Sequence, residues 1–157
     1  MWIGFDNAGF DLMNKAKNGD ISFSHYKHNP NNTKSLSDNT VLAILEDKMG
    51  RIWLGTRDGL NMLNVNTQEF TTYRTPDGLP NNTVVGIIED DNENLWLSTL
   101  NGLSMFNPKT KTFKNYNTSD GLQGQKFNNR ASYYKNSKGE LFFGGNKGFS
   151  TFKPEKI

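Results

Sequence analysis

The 157-residue sequence contains no cysteine. Disulfides and thiolate metal sites are therefore excluded, while the compartment stays open, because many exported domains also lack disulfides. Net charge is small: 18 Lys and Arg against 16 Asp and Glu leave +2. That balance supplies no broad field for gripping a phosphate backbone, so no nucleic-acid partner is expected. No apolar run approaches the roughly 18 residues of a membrane span, and the chain itself is expected to make no membrane contact. The N-terminus, Met1 to Asp6, lacks a basic stretch followed by an apolar one and does not read as a signal peptide. It reads as the middle of a folded motif, as though cut from a longer protein.

What the sequence has is aromatic residues, at 12%, and one motif written four times. The motif is Trp2-Ile3-Gly4-Phe5, Ile52-Trp53-Leu54-Gly55-Thr56, Leu95-Trp96-Leu97-Ser98-Thr99 and Leu141-Phe142-Phe143-Gly144-Gly145. A polar turn with a glycine follows each copy, then a second apolar segment such as Leu60-Asn61-Met62-Leu63 or Leu103-Ser104-Met105-Phe106. Trp53 and Trp96 are 43 residues apart, and Phe142 follows Trp96 by 46. The first interval, 51 residues, is lengthened by the polar stretch Lys27 to Asn39. A period near 43 fits a four-stranded propeller blade. Helical repeats of similar length are excluded by period-two alternation, β-branched and aromatic enrichment, and turn residues every five to eight positions or so.

One repeat parses into strands at Val41 to Leu45, Arg51 to Thr56, Leu60 to Val65 and Glu69 to Arg74. Arg57-Asp58-Gly59 is the hairpin turn. The first strand is apolar enough to be buried on both faces. The next repeat gives Val84 to Ile88, Asn94 to Thr99, Leu103 to Asn107 and Thr112 to Tyr116. The first copy begins at its second strand, and the last ends after its third, the strands near Arg130 to Tyr134, Glu140 to Gly145 and Phe149 to Lys153. The expected fold is all-β, a partial propeller of about three and a half blades of four-stranded antiparallel sheet. Residues 1–157 form one domain, with blades at about 1–30, 40–74, 83–116 and 128–157. Unpaired edges at both ends predict self-association, or a parent chain that supplies the remaining blades.

The segment Leu79 to Leu103, with Glu89-Asp90, Trp96, Ser98-Thr99 and Gly102-Leu103, resembles the two-component regulator propeller repeat. So does Ser37 to Leu60, with Glu46-Asp47, Gly50, Trp53, Gly55-Thr56 and Gly59-Leu60. The ending Phe143 to Glu155 resembles the last blade of such sensors. The resemblance implies the periplasmic sensor portion of a hybrid two-component system, in which histidine kinase and response regulator share one chain. Many such systems sense glycans. Ser98 departs from the family's usual Gly and Phe142 from its Trp, both compatible with the fold. Kinase, receiver and membrane segments are absent, so kinase activity is expected only of a parent protein, and this chain is not expected to be an enzyme.

The recurring Trp2, Trp53 and Trp96 are read as core, not as sugar-stacking platforms. His25 and His28 lie in a polar stretch with no carboxylate beside them in sequence, which argues for a surface loop over a metal site. Asp90 to Asn94 has part of a calcium-loop pattern but lacks its Gly and terminal Glu, and is read as a tight turn. No cofactor or metal is expected. Three Asn-x-Ser/Thr matches fit chance in an Asn-rich chain. In an up-and-down blade the second-to-third-strand turns lie at the same end as the connectors between blades. That end carries the candidate ligand contacts Arg57, Asp58, Asp77, Asn101, Asn128, Arg130, Asn146 and Lys147, polar groups suited to a hydroxyl-rich oligosaccharide. The alternatives are a propeller-fold polysaccharide or antibiotic lyase, or a passive protein-interaction scaffold.

Overall fold

A computed structural model describes residues 1–127 and 132–157. It contains four antiparallel sheets, each built from consecutive strands in chain order, and no α-helix among the described residues. The first sheet is β1 (Trp2–Gly4), β2 (Phe10–Lys15) and β3 (Ile21–Tyr26). The second is β4 (Val41–Glu46), β5 (Ile52–Thr56), β6 (Gly59–Asn64) and β7 (Glu69–Tyr73). The third repeats it as β8 (Val84–Glu89), β9 (Leu95–Thr99), β10 (Gly102–Asn107) and β11 (Thr112–Tyr116). The fourth is β12 (Tyr133–Lys135), β13 (Leu141–Gly145) and β14 (Gly148–Phe152). The result is a partial β-propeller.

The core is three apolar layers, each sealed between neighbouring sheets. Phe10, Tyr26, Ile52, Leu54, Leu63 and Phe70 join sheets one and two. Trp53, Leu60, Tyr73, Val84, Leu97 and Phe106 join two and three. Val85, Trp96, Leu103, Tyr116, Leu141 and Phe143 join three and four. Alternation along each strand places one set of side chains on each face, so each of the two middle sheets helps bury two layers.

Aromatic rings bridge these layers. Trp53 meets Phe106 of the next sheet edge-on at 5.6 Å, and Trp96 meets Phe152 at 4.8 Å. Such pairs add about 0.5–1.5 kcal/mol each beyond the area they bury. Trp53 and Trp96 are each 1% exposed, as expected of core residues. Trp2 differs: it is only half-buried, at the rim of the first layer, and its indole N–H donates to Glu46 Oε2 at 3.3 Å.

The inner strand β4 also differs from expectation. Only Ala43 is fully buried in it, whereas Val84 to Ile88 of β8 are all buried. Position explains the contrast. β8 is packed by both β4 and β5 of the second sheet as well as by β12, while β4 is packed chiefly by β8 and by short β1. The first strand expected in the last blade falls partly on residues 128–131, outside the described residues.

Tight spacing is built in at the turns. Gly59 has φ +118, and a Cβ there would lie 2.6 Å from the Tyr73 carbonyl oxygen. Only glycine tolerates both. Its N–H donates to Asn82 O at 2.6 Å, and Gly102 N–H makes the equivalent bond to Gln125 O at 2.6 Å. These bonds tie each hairpin to the connector that leads into the next blade, and so fix the loops of one end of the propeller.

Candidate functional site

The end of the propeller that carries the turns between second and third strands is polar. Arg57 is exposed there, and its guanidinium stands 3.9 Å from Asp6 of the neighbouring blade's turn. Both partners are well exposed, so the pair adds little stability. Asn146 and Lys147, in the turn between β13 and β14, are also exposed. Asn146 contributes its backbone N–H to Lys126 O at 3.2 Å, and its side chain and that of Lys147 border Gly124.

Three of the other candidates are engaged in holding loops. Asp58 accepts from Arg74 Nε at 3.0 Å and Nη2 at 2.9 Å, and from Asn82 Nδ2 at 3.1 Å. One carboxylate thus fastens the hairpin to both ends of the connector Thr75 to Asn82. Asp77 accepts the Arg74 backbone N–H at 2.8 Å and closes the turn that follows β7. Asn101 donates to Pro80 O at 3.3 Å, across to the preceding connector. Asn128 and Arg130 lie outside the described residues.

The histidines do not share a site. His25 pairs across β2 and β3 with Asp11, its Nδ1 at 2.8 Å from the carboxylate. The carboxylate missing from the local sequence is supplied by strand pairing. His28 Nδ1 instead lies 2.8 Å from Leu36 O. The polar stretch holding His28 is anchored by Leu36, which is wholly buried, and by the bond from Phe70 N–H to Lys34 O at 2.8 Å. Among the described residues no three His, Asp or Glu side chains converge as a metal would require.

Two buried carboxylates prove central to the blades. Asp47 accepts backbone N–H groups of Met49 at 3.0 Å and Arg51 at 2.9 Å, Arg51 Nε at 2.6 Å and the Trp53 indole at 2.8 Å. Asp90 accepts from Asn92 and Asn94 N–H groups at 2.9 Å each, and from the Trp96 indole at 2.9 Å. Each carboxylate closes its turn and fixes a core indole. The fourth blade has Asn136 in this role, accepting from Lys138 N–H at 2.9 Å and Glu140 N–H at 3.0 Å. There the residue six positions on is Phe142, which has no N–H to offer. Acid goes with indole, and amide with the ring that cannot donate. The sequence signal was an Asp six residues before each Trp, in two consecutive repeats.

Burial raises the Asp47 pKa, but the hydrogen bonds from Trp53 and Arg51 and the Arg51 charge outweigh it, and the carboxyl sits below its ordinary value. Its stabilisation is therefore complete above the unfolded carboxylate pKa of about 4 and is lost as pH falls through the lower folded value. Thermal unfolding between about pH 5 and pH 2 is expected to show a fall in Tm that is shallower in Asp47→Asn. Equal slopes in the two proteins would remove this linkage.

Consecutive three- and four-stranded antiparallel sheets, aromatic layers between them and connectors gathered at one end define a β-propeller segment. Residues 35–58 and 78–101 match the family model described as two component regulator propeller. Histidine kinase P4 of Formosa agariphila is 38% identical over 60 residues, which is 38% of this chain and 4% of the kinase. A solved extracellular domain from B. thetaiotaomicron, assigned to the hybrid two component system BT3049, superposes on 98% of this chain with TM-score 0.78 and 24% identity. The match covers 20% of that domain. Virginiamycin B lyase from Staphylococcus aureus shares the fold over 94% of this chain and 50% of its own, with TM-score 0.56 and 17% identity. At these identities the structural likeness establishes the fold. The chain spans a small part of the kinase and of the solved extracellular domain. No helix of the described residues is long and apolar enough to cross a membrane.

Proposed function

We propose that this chain is a ligand-sensing part of a hybrid two-component sensor, without enzymatic activity of its own. Its loop end recognises an extracellular glycan in the periplasm and signals to a histidine kinase carried elsewhere in a longer protein. The observation that carries the reading is the pair of two component regulator propeller repeats. The exposed Arg57, Asn146 and Lys147 support it, since they leave donors and an amide acceptor free for hydroxyl groups. The stapled connectors around Asp58 supply a rigid frame on which such contacts can be held. Signalling then follows from unequal ligand affinity for two arrangements of the sensor, which shifts their populations.

Isothermal titration of the longer sensor against a panel of neutral and acidic oligosaccharides tests the reading. One glycan is expected to bind, and Arg57→Ala with Lys147→Ala is expected to weaken it by about tenfold or more with Tm unchanged, as for loss of polar contacts at an exposed site. A sensor that binds no glycan, or a double variant that binds as well as the parent, refutes it.

A further inference from the structure

The connector between the first and second sheets is longer than its counterparts. Leu36 follows Tyr26 by ten residues, whereas Leu79 follows Tyr73 by six and Leu122 follows Tyr116 by six. In the two later connectors this stretch is one short turn, Thr75–Asp77 or Thr118–Asp120. The first connector carries four residues more, and it is braced by bonds of its own. Asn29 N–H donates to Ser35 Oγ at 2.8 Å, Asn32 N–H to Asn29 O at 3.0 Å, and Lys34 N–H to Asn32 Oδ1 at 3.0 Å. Residues 27–34 are all exposed, so they add nothing to the core. Compact surface loops held in this way are frequently functional.

The extra residues border a groove of about 570 Å³. It is lined by Ser24 and Tyr26 on β3, by Lys27 and Asn32 in the connector, and by Thr67 and Gln68 in the turn between β6 and β7. That turn lies at the opposite end of its blade from Arg57, because β6 runs from one to the other. The groove is therefore a place apart from the loop end. Its volume falls within the roughly 300–1,000 Å³ of small-molecule sites. Lys34 Nζ meets Glu69 Oε1 at 3.0 Å, which ties the connector to β7 and cancels two of the charges that border the groove. Lys27 is left as an exposed cation. The neutral side chains around it are hydroxyls and amides, which both donate and accept hydrogen bonds.

We propose that this groove binds a sugar acid, a small polyhydroxylated molecule with one carboxylate. Lys27 pairs with the carboxylate. The amides of Asn32 and Gln68 and the hydroxyls of Ser24 and Thr67 take the hydroxyl groups of the ligand. The four additional residues make the site particular to this position in the chain, since the connectors after β7 and β11 lack them. The proposal is independent of what the loop end binds.

The probe is sodium glucuronate, titrated into the whole chain and followed by amide chemical shifts, with glucose as the neutral control. Saturable shifts are expected within residues 24–35 and 67–70, with glucose binding more weakly. Lys27→Ala is expected to weaken glucuronate about fivefold with Tm unchanged, as for an exposed ion pair. Replacing residues 27–35 by the five residues found at 74–78 removes the wall and is expected to abolish binding. Absent saturation overturns the proposal, as do shifts confined to the turns around Arg57 and Lys147. Glucose binding equal to glucuronate, or a Lys27→Ala variant that binds as well as the parent, also overturns it.

Discussion

Trp96→Phe is expected to lower stability by about 2–4 kcal/mol in denaturant unfolding, combining lost core volume with a buried acceptor left short of a donor. The acceptor is the carboxylate of Asp90, itself 1% exposed. Asp90→Asn alone is also expected to destabilise, by about 1–3 kcal/mol, because the new amide turns a donor toward the indole N–H. The two changes together recreate the pairing of Asn136 with Phe142. In that blade the amide nitrogen finds an acceptor in Glu140 Oε2 at 3.1 Å. Asn94 stands at the matching place in the third blade and can turn its own amide oxygen to the same task. The double variant is therefore expected to be about 1–2 kcal/mol more stable than the two single losses predict. Additivity within about 0.5 kcal/mol would show that acid and indole do not act as a pair.

The second large effect is steric. In Gly55→Ala the new methyl would stand 2.6 Å from the Val84 carbonyl oxygen and 2.9 Å from its Cγ1, so sheets two and three must part. A loss of about 1–3 kcal/mol is expected. Gly124→Ala supplies the contrast, since its methyl would approach nothing closer than 3.4 Å, and its Tm is expected to stay within a degree or two of the parent. Equal stability of the two variants would mean that the blades slide apart freely there. Ser98 finds its room within its own sheet. Gly55 stands opposite Ala43 in the strand pairing, whereas Ser98 stands opposite Gly86. A larger residue on one strand is met by a smaller one on its partner, which is why a Ser can occupy a position that is Gly one repeat earlier.

The strand plan was legible because each blade is a local object. Its strands are consecutive, the hairpins of the second and third blades are marked by Asp58-Gly59 and Asn101-Gly102, and alternation needs only a few residues to declare itself. β11 falls on Thr112 to Tyr116, as the pattern requires, and the neighbouring strands agree to within a residue or so. The loop end was legible in outline for the same reason: strand polarity alone decides which turns share it. What each loop residue does there was not. Asp58, Asp77 and Asn101 are as polar in sequence as Lys147, yet they bond to Arg74, Asn82 and Pro80. Which of two polar groups is spent on the protein depends on distances across connectors.

By itself the sequence determined the repeat, the all-β character and the aromatic layers, because all of these follow from short-range spacing and side-chain chemistry. Tertiary structure alone decided which tryptophans are sealed in the core and which loop groups remain free. It also decided that Asp11 meets His25. These depend on what lies on the other side of a sheet, and burial and pairing across sheets are properties of neighbours that the chain reaches only after it folds.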